Sequence, residues 1–329
     1  MNDRAVSLLE NYDFTVIKTH KVRGAFVCET DQGLKIMKEY QAPVSKLGLM
    51  DVLLRSLPDD SEVFVDTLVA DKEGNFISYD REGAGYVVKD YFEGRECSPG
   101  EEADLKMAMF ALARLHEGLF WPEEKMPEIH RFDLEEDIIR QNKGLKKIRS
   151  FIRGRGRKSE FELALLDAYN LFLDRAVRVE ERIVAEDFSD FYKNVEQKKE
   201  FAHGDFQYHN VLFGKEKSAI LHFEKCQWDS RVRDVALFLR KTLEKADWDV
   251  TLGRNLLAEY ESVNPLTDSE RRQLFYRLAY PEKFRKIANF YYNSNKAFLS
   301  EQYKSKLANT IRLEKAKNVF LNKVFDDEI

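Results

Sequence analysis

Residues 201–241 read FAHGDFQYHNVLFGKEKSAILHFEKCQWDSRVRDVALFLRK. The stretch opens with His203-Gly204-Asp205 and reaches Asn210 five residues after that aspartate. Two apolar runs follow, Val211-Leu212-Phe213 and Ala219-Ile220-Leu221, with a turn-like Gly214–Lys217 between them. Short apolar runs bounded by such a segment read as a β-hairpin. The second run leads into His222-Phe223-Glu224, so a carboxylate and a carboxamide precede the hairpin and a polar pair follows it.

That order is the catalytic layout of kinase-fold phosphotransferases, in which the aspartate orients or deprotonates an acceptor hydroxyl and the carboxamide oxygen holds Mg²⁺. His203-Gly204-Asp205 with Asn210 resembles the HGD-x4-N loop of aminoglycoside and choline phosphotransferases. Asp234 matches the aspartate that braces this loop in those families. More narrowly, HGDFQYHN, FEKCQWDSRVRD and FLRKTLEKADWD are similar to the CotS-type spore coat proteins, chiefly over residues 86–97 and 200–250. The resemblance implies an α+β, two-lobed protein kinase-like fold, with an antiparallel β N-lobe over residues 1–92 and a mainly α-helical C-lobe over 93–329. It also implies ATP and Mg²⁺ as cofactors, Asp205 as catalytic base, and Asn210 as a metal ligand. His203 and Asp234 are the structural brace, and the spore coat is the destination of a chain made in the cytoplasm.

One position departs from that pattern. Active relatives carry an aspartate before an aromatic residue as second metal ligand, and here that position is His222. Magnesium prefers hard oxygen ligands in near-octahedral geometry, which imidazole does not supply. Glu224 is the substitute ligand if residues 222–224 continue a strand, because i and i+2 then share a face. Two readings follow. One is a degenerate or weakly active phosphotransferase that meets spore coat proteins. The other is a competent kinase for a small-molecule hydroxyl acceptor of aminoglycoside, choline or sugar type. A third collects His203, Asp205, His209, His222 and Cys226 as a transition-metal cluster, since histidine and cysteine favour zinc.

The chain has 329 residues, 43% of them hydrophobic, enough for a substantial core. With 53 basic and 58 acidic residues it lacks the basic excess of a general nucleic-acid binder. The basic run Arg149–Lys158 reads as a solvated, mobile loop. Three cysteines without a CxxC pair suit a reducing interior. The first residues, MNDRAVSLLENYDF, lack the apolar run of a signal peptide. No stretch approaches the roughly 18 apolar residues of a membrane span, so neither membrane nor nucleic acid is expected as a partner.

Along the chain, residues 4–11 read as an amphipathic helix, and Phe14–Lys18, Gly24–Thr30 and Leu34–Tyr40 as strands, the last two joined at Asp31-Gln32-Gly33. Between the first two strands only Gly24 supplies the glycine of a phosphate-covering loop, with Lys21 and Arg23 as compensating charges. Leu34, Ile36 and Lys38 share one strand face and Lys35 the other. The resemblance puts Lys38 on nucleotide phosphates, Ile36 under the base, and Tyr86–Phe92, with Lys89 and Tyr91, at the hinge whose backbone holds adenine. Asp51 is the acid available in a helix over 44–57 to pair with Lys38. Leu105, Met109, Leu112 and Leu115 mark a core-facing helix that ends at His116, read as structural. Helices are expected over 133–149, 159–185, 255–263, 268–279, 281–300 and 301–323. The aromatic group from Phe275 to Tyr292 reads as helix packing, as do Trp228 and Trp248.

Overall fold

A computed structural model describes residues 3–22, 24–58, 62–294, 301–327 and 329. The chain forms two compact units: one of residues 1–130, 198–237 and 259–265, the other of 131–197, 238–258 and 266–329.

The first unit is built on strands β1 (Val16–Val22), β2 (Ala25–Thr30), β3 (Gly33–Glu39), β4 (Val63–Val65), β5 (Leu68–Val69), β6 (Ser78–Tyr79), β7 (Gly85–Asp90) and β8 (Arg95–Glu96). One sheet runs β1-β2-β3-β7-β5, with β6 also on β7, and every pairing in it is antiparallel. Its turns are set by local chemistry. The Thr30 hydroxyl accepts from the Gln32 N–H and donates to the Gly33 carbonyl, while Gly33 takes φ +89°. In the turn after β5, expected to close a hairpin but joining strands that each pair with β7, Asp71 accepts the N–H groups of Glu73 and Asn75 around Gly74. The 3-10 helix Asp3–Asn11 lays Leu9 over a core of Tyr12, Phe26, Cys28, Met37, Tyr86 and Val88.

Two expectations change here. β1 continues to Val22 and pairs it with Ala25, so residues 18–22 are strand rather than loop. Gly24, at φ +72°, sits in a two-residue connection, and Lys21 lies over the Phe26 ring. Arg23 lies outside the described residues.

Strands β9 (Phe201–Ala202), β10 (Val211–Phe213), β11 (Ser218–Ile220) and β12 (Gln227–Trp228) belong to the same unit. The expected hairpin is β10–β11, and it is clamped into a second sheet, β4-β11-β10-β8, in which β4 runs parallel to β11. Helices α1 (Ser45–Arg55) and α2 (Glu102–His116) complete the frame, α2 burying Leu105, Met109, Leu112 and Leu115 as the periodicity predicts.

The second unit is helical. It holds α3 (Leu134–Gly154), capped by Asp133, and α4 (Glu160–Ala185), opened by a capping box between Ser159 and Glu162. Next come α5 (Ser189–Lys198) and the ends of α6 (Val232–Leu243) and α7 (Val250–Glu261). The chain finishes with α8 (Asp268–Ala279), α9 (Glu282–Asn293) and α10 (Glu301–Phe325). Residues 295–300 of the expected ninth-helix span lie outside the described residues. Arg149–Gly154 belong to α3, so most of the supposed basic loop is helix. Phe275, Tyr276, Tyr280, Phe284 and Tyr291 are buried, with Phe284 stacked on Phe172 at 4.6 Å. Phe290 is 42% exposed and stacked on Tyr303, and Tyr292 is half-buried.

Helix α7 approaches α10 at Gly253, where an added Cβ would lie 2.2 Å from the Phe320 ring. Gly253→Ala is therefore expected to cost about 1–3 kcal/mol, the usual penalty for overpacking. A lowered denaturation midpoint checks it; an unchanged or raised midpoint contradicts the tight crossing.

Candidate active site

The loop after β9 hangs from one buried carboxylate. Asp234, at the start of α6, accepts the backbone N–H of His203 on Oδ2 (2.6 Å) and that of Gly204 on Oδ1 (2.8 Å). Its Oδ2 also faces His116 Nε2 at 3.2 Å, and His116 Nδ1 meets the Tyr260 hydroxyl at 2.8 Å. A neutral His116 that donates from Nε2 and accepts on Nδ1 satisfies both. Burial holds this imidazole below its ordinary pKa. Burial alone would raise Asp234, but the hydrogen bond from His116 and that from the Gly204 N–H hold it below the usual carboxylate range.

Gly204 has two reasons to be glycine: φ is +79°, and a Cβ would lie 2.1 Å from the Lys225 carbonyl oxygen. His203 is fully buried; its Nε2 lies 2.9 Å from the Leu221 carbonyl and its Nδ1 accepts the Asp205 N–H at 3.1 Å. A carbonyl cannot donate, so Nε2 carries the proton and His203 is a neutral brace. Asn210 spends Nδ2 on the Asp205 carbonyl at 2.8 Å, and its own carbonyl accepts the Leu221 N–H. The Asp205 carboxylate accepts from Lys225 Nζ (2.8 Å) and Gln207 Nε2 (3.2 Å).

Beyond the hairpin the chain does not continue as a strand. His222 takes left-handed φ +74°, ψ +58°, and Phe223–Lys225 form a 3-10 turn, so strand alternation does not relate Glu224 to His222. Such a backbone costs a non-glycine residue about 1–3 kcal/mol. Part of the compensation is visible: the His222 N–H donates to the buried Asp66 carboxylate at 3.1 Å.

Glu224 then enters a network of charges with little water around it. Its Oε1 accepts from Lys38 Nζ at 2.6 Å and Lys89 Nζ at 3.1 Å, and Lys89 Nζ also donates to Asp66 Oδ2 at 2.8 Å. Burial works against charge on Glu224, but Lys89 and Lys38 outweigh it and hold the carboxyl far below its ordinary range. For Lys89 burial likewise favours the neutral amine, and the charges of Asp66 and Glu224 reverse that, leaving its pKa raised. Lys38 Nζ also lies 2.8 Å from His222 Nδ1. An ammonium has no acceptor, so the lone pair of Nδ1 is the acceptor and His222 is a neutral Nε2–H tautomer. Burial and the Lys38 charge both lower its pKa.

The network reassigns several expected residues. Lys38 pairs with Glu224, whereas Asp51 pairs with Arg55 one turn along its own helix at 2.7 Å. Lys35, on the opposite face, bonds Asp90 at 2.5 Å. The Lys89 side chain is wholly buried on Asp66 and Glu224, and its backbone is paired with Ile36 and Leu68. The Tyr91 N–H donates to the Leu34 carbonyl at 3.0 Å, so that amide is committed to the protein and not to an adenine. Ile36 lies on β3 beside Lys89 and is half-buried. Sequence reasoning missed Asp66, and it missed Lys46, whose Nζ donates to the carbonyls of Glu224 and Cys226. A signal existed for the first: a lysine directly after the apolar run Tyr86-Val87-Val88, on the same central strand, demands a counter-charge where it is buried.

A divalent cation fits these donors poorly. The His222 lone pair is spent on Lys38, and Glu224 is neutralised by two ammonium groups. The transition-metal cluster does not form either. Among the described residues no group of three or more His, Cys, Asp or Glu side chains is placed to hold a metal ion. His209 faces Glu96 at 3.8 Å, His203 is committed to Leu221, and burial pushes the Cys226 thiol up to about 12.

Two tests follow from the brace. Gly204→Ala combines a left-handed backbone with a backbone clash and is expected to cost on the order of 3 kcal/mol; a midpoint within error of wild type would count against the loop geometry. The pH dependence has one sign. A carboxyl with depressed folded pKa stabilises above its unfolded value, about 3.9 for Asp, and loses that contribution as pH falls through the folded value. His116, held neutral, opposes protonation below about 6.5, so both groups make the fold acid-labile. The expected result is a thermal midpoint that falls on acidification from about pH 6.5, with the upper part of the fall absent in His116→Gln.

Over 99 residues the chain is 35% identical to spore coat protein S of Bacillus subtilis (strain 168), a match covering 30% of this chain and 28% of that protein. In structure it is similar to an aminoglycoside phosphotransferase of Alicyclobacillus acidocaldarius subsp. acidocaldarius DSM 446, with TM-score 0.81, 17% identity, and coverage of 97% of this chain and 94% of that one. It is also similar to the spectinomycin phosphotransferase APH(9)-Ia, solved with ADP and spectinomycin, with TM-score 0.60, 12% identity and coverage of 99% and 98%. At such identities the likeness speaks for the fold, a two-lobed kinase-like α+β architecture with an antiparallel sheet and a helical lobe. Among the described residues no helix is long and apolar enough to cross a membrane. Residues 6–324 match the family described as "Spore coat putative kinase YutH", and the chain belongs to that family.

Proposed function

We propose that this protein is a spore coat component that uses a kinase fold to bind an adenine nucleotide and transfers phosphate weakly or not at all. The observation that carries the reading is the Lys38–Glu224 ion pair with His222 on the same ammonium. Lys38, the lysine expected to meet phosphates, is held by Glu224 and His222, and the carboxylate expected to hold metal is thereby neutralised. Ile36 and Lys38 then serve the nucleotide from residues 1–92, with Lys89 acting only through Glu224, and residues 93–329 supply Asp205, Asn210 and Glu224. Coat proteins are the partners in this reading.

One observation favours residual transfer. Asp205 and Asn210 share one loop, joined through the Asn210 Nδ2–Asp205 carbonyl bond and braced by Asp234 and His203, with the Asp205 carboxylate partly exposed beside Lys225. In that reading Asp205 orients an alcohol of aminoglycoside, choline or sugar type and accepts its proton. The ammonium of Lys225 would have to leave the carboxylate for this to happen, an inexpensive step for an exposed pair.

Calorimetric titration with ATP and ADP tests the binding, and labelled-ATP assays on those three acceptor classes test the transfer. Nucleotide binding with turnover near background is expected, and Lys38→Met should weaken binding about tenfold or more, the loss of one charge-assisted contact. Any turnover that is found should vanish in Asp205→Asn with little change in stability. Fast turnover surviving that substitution would remove the base assignment, and robust wild-type turnover would replace the degenerate reading with the competent one.

A further inference from the structure

Lys89 is an unusual resident of a nucleotide site. Its side chain has no exposed surface, and its backbone is locked between Ile36 on β3 and Leu68 on β5. The ammonium therefore cannot swing away from its two carboxylates, Asp66 at 2.8 Å and Glu224 at 3.1 Å. A positive centre bridging two carboxylates at the end of the catalytic hairpin does the electrostatic task that a bound divalent ion would otherwise do. Lys38 adds a second ammonium on the same Glu224 oxygen, and His222, whose position would carry an anionic ligand, contributes a neutral ring instead. Among the described residues, the ammonium groups of Lys38, Lys46, Lys89 and Lys225 lie around Glu224 and Asp205, and three carboxylates bond to this group, those of Asp66, Asp205 and Glu224. That balance is positive before any ligand arrives, and it suits an uncomplexed polyanion.

From this arrangement we infer that Lys89 stands in for the divalent cation, so that the site takes the phosphate chain of a nucleoside di- or triphosphate free of Mg²⁺. The inference rests on the nucleotide-binding reading and separates from it by experiment. Full-length protein is titrated calorimetrically with ATP and with ADP, once in excess chelator and once in millimolar Mg²⁺. Affinities that agree within about threefold, or that weaken when Mg²⁺ complexes the phosphates, are the expected result. Binding that appears only with Mg²⁺, or tightens more than tenfold, overturns the inference and leaves nucleotide binding intact. No binding in either buffer overturns both, and the fault then lies with the nucleotide reading.

Lys89→Met supplies the converse test, because it leaves the buried Asp66 without its ammonium partner and Glu224 with Lys38 alone. Mg²⁺ is expected to raise the thermal midpoint of this variant and to tighten its nucleotide binding about tenfold, with neither effect in wild type. Since the loss of that ammonium endangers folding, Glu224→Gln is measured beside it. Freeing Lys38 and Lys89 from one negative charge should strengthen chelator-resistant ATP binding about tenfold, the scale of one charge-assisted contact. Unchanged or weaker binding in Glu224→Gln counts against the inference.

Discussion

A carboxylate shut away from water, Asp234, is what the functional loop depends on. It holds two successive backbone N–H groups, those of His203 and Gly204, and is itself steadied by His116 and, through it, Tyr260. A buried anion is costly unless its oxygens are satisfied, and here each has a donor. The turn it enforces puts Gly204 against the Lys225 carbonyl, which in turn sets the 3-10 turn carrying Glu224. The Asp205 loop and the Glu224 turn are therefore two sides of one close backbone approach.

The second ionic cluster obeys the same physics with a different outcome. Lys38, Lys89, Asp66 and Glu224 carry two positive and two negative charges in a site with little solvent. Buried pairs of this kind add little net stability over an apolar core, but removing one partner is expensive. Such a cluster is tied together: Glu224 cannot be lent to a metal without exposing the charges of two lysines. The fold of a phosphotransferase is kept while the electrostatics that would recruit a cation are closed internally. Fold and activity are separable properties.

The family and the architecture were both legible in the sequence, because local patterns carry them. The HGD-x4-N loop, the hairpin runs of residues 211–213 and 219–221, the helix ending at His116 and the capped helices of the second unit follow from short-range chemistry. The roles within the site were less legible. Asp66 is 23 residues from Lys89, and Glu224 is 135 from it, so no local pattern links them. The alternation argument for Glu224 failed because a left-handed residue, His222, ends the strand, and that backbone choice is stabilised from Asp66. Likewise, Lys89 looked like a hinge residue until two strands enclosed it.

By itself, then, the sequence determined which residue types stand at the loop and hairpin, and the replacement of an aspartate by His222. Helical and strand periods and the HGD-x4-N spacing are properties of neighbouring residues and survive without a fold. Only the tertiary structure decided the partners: Lys38 with Glu224 rather than Asp51, Lys89 with Asp66, and Asp205 with Lys225. Charge pairing is decided by distance and by exclusion of water, and both come into being when distant segments pack together.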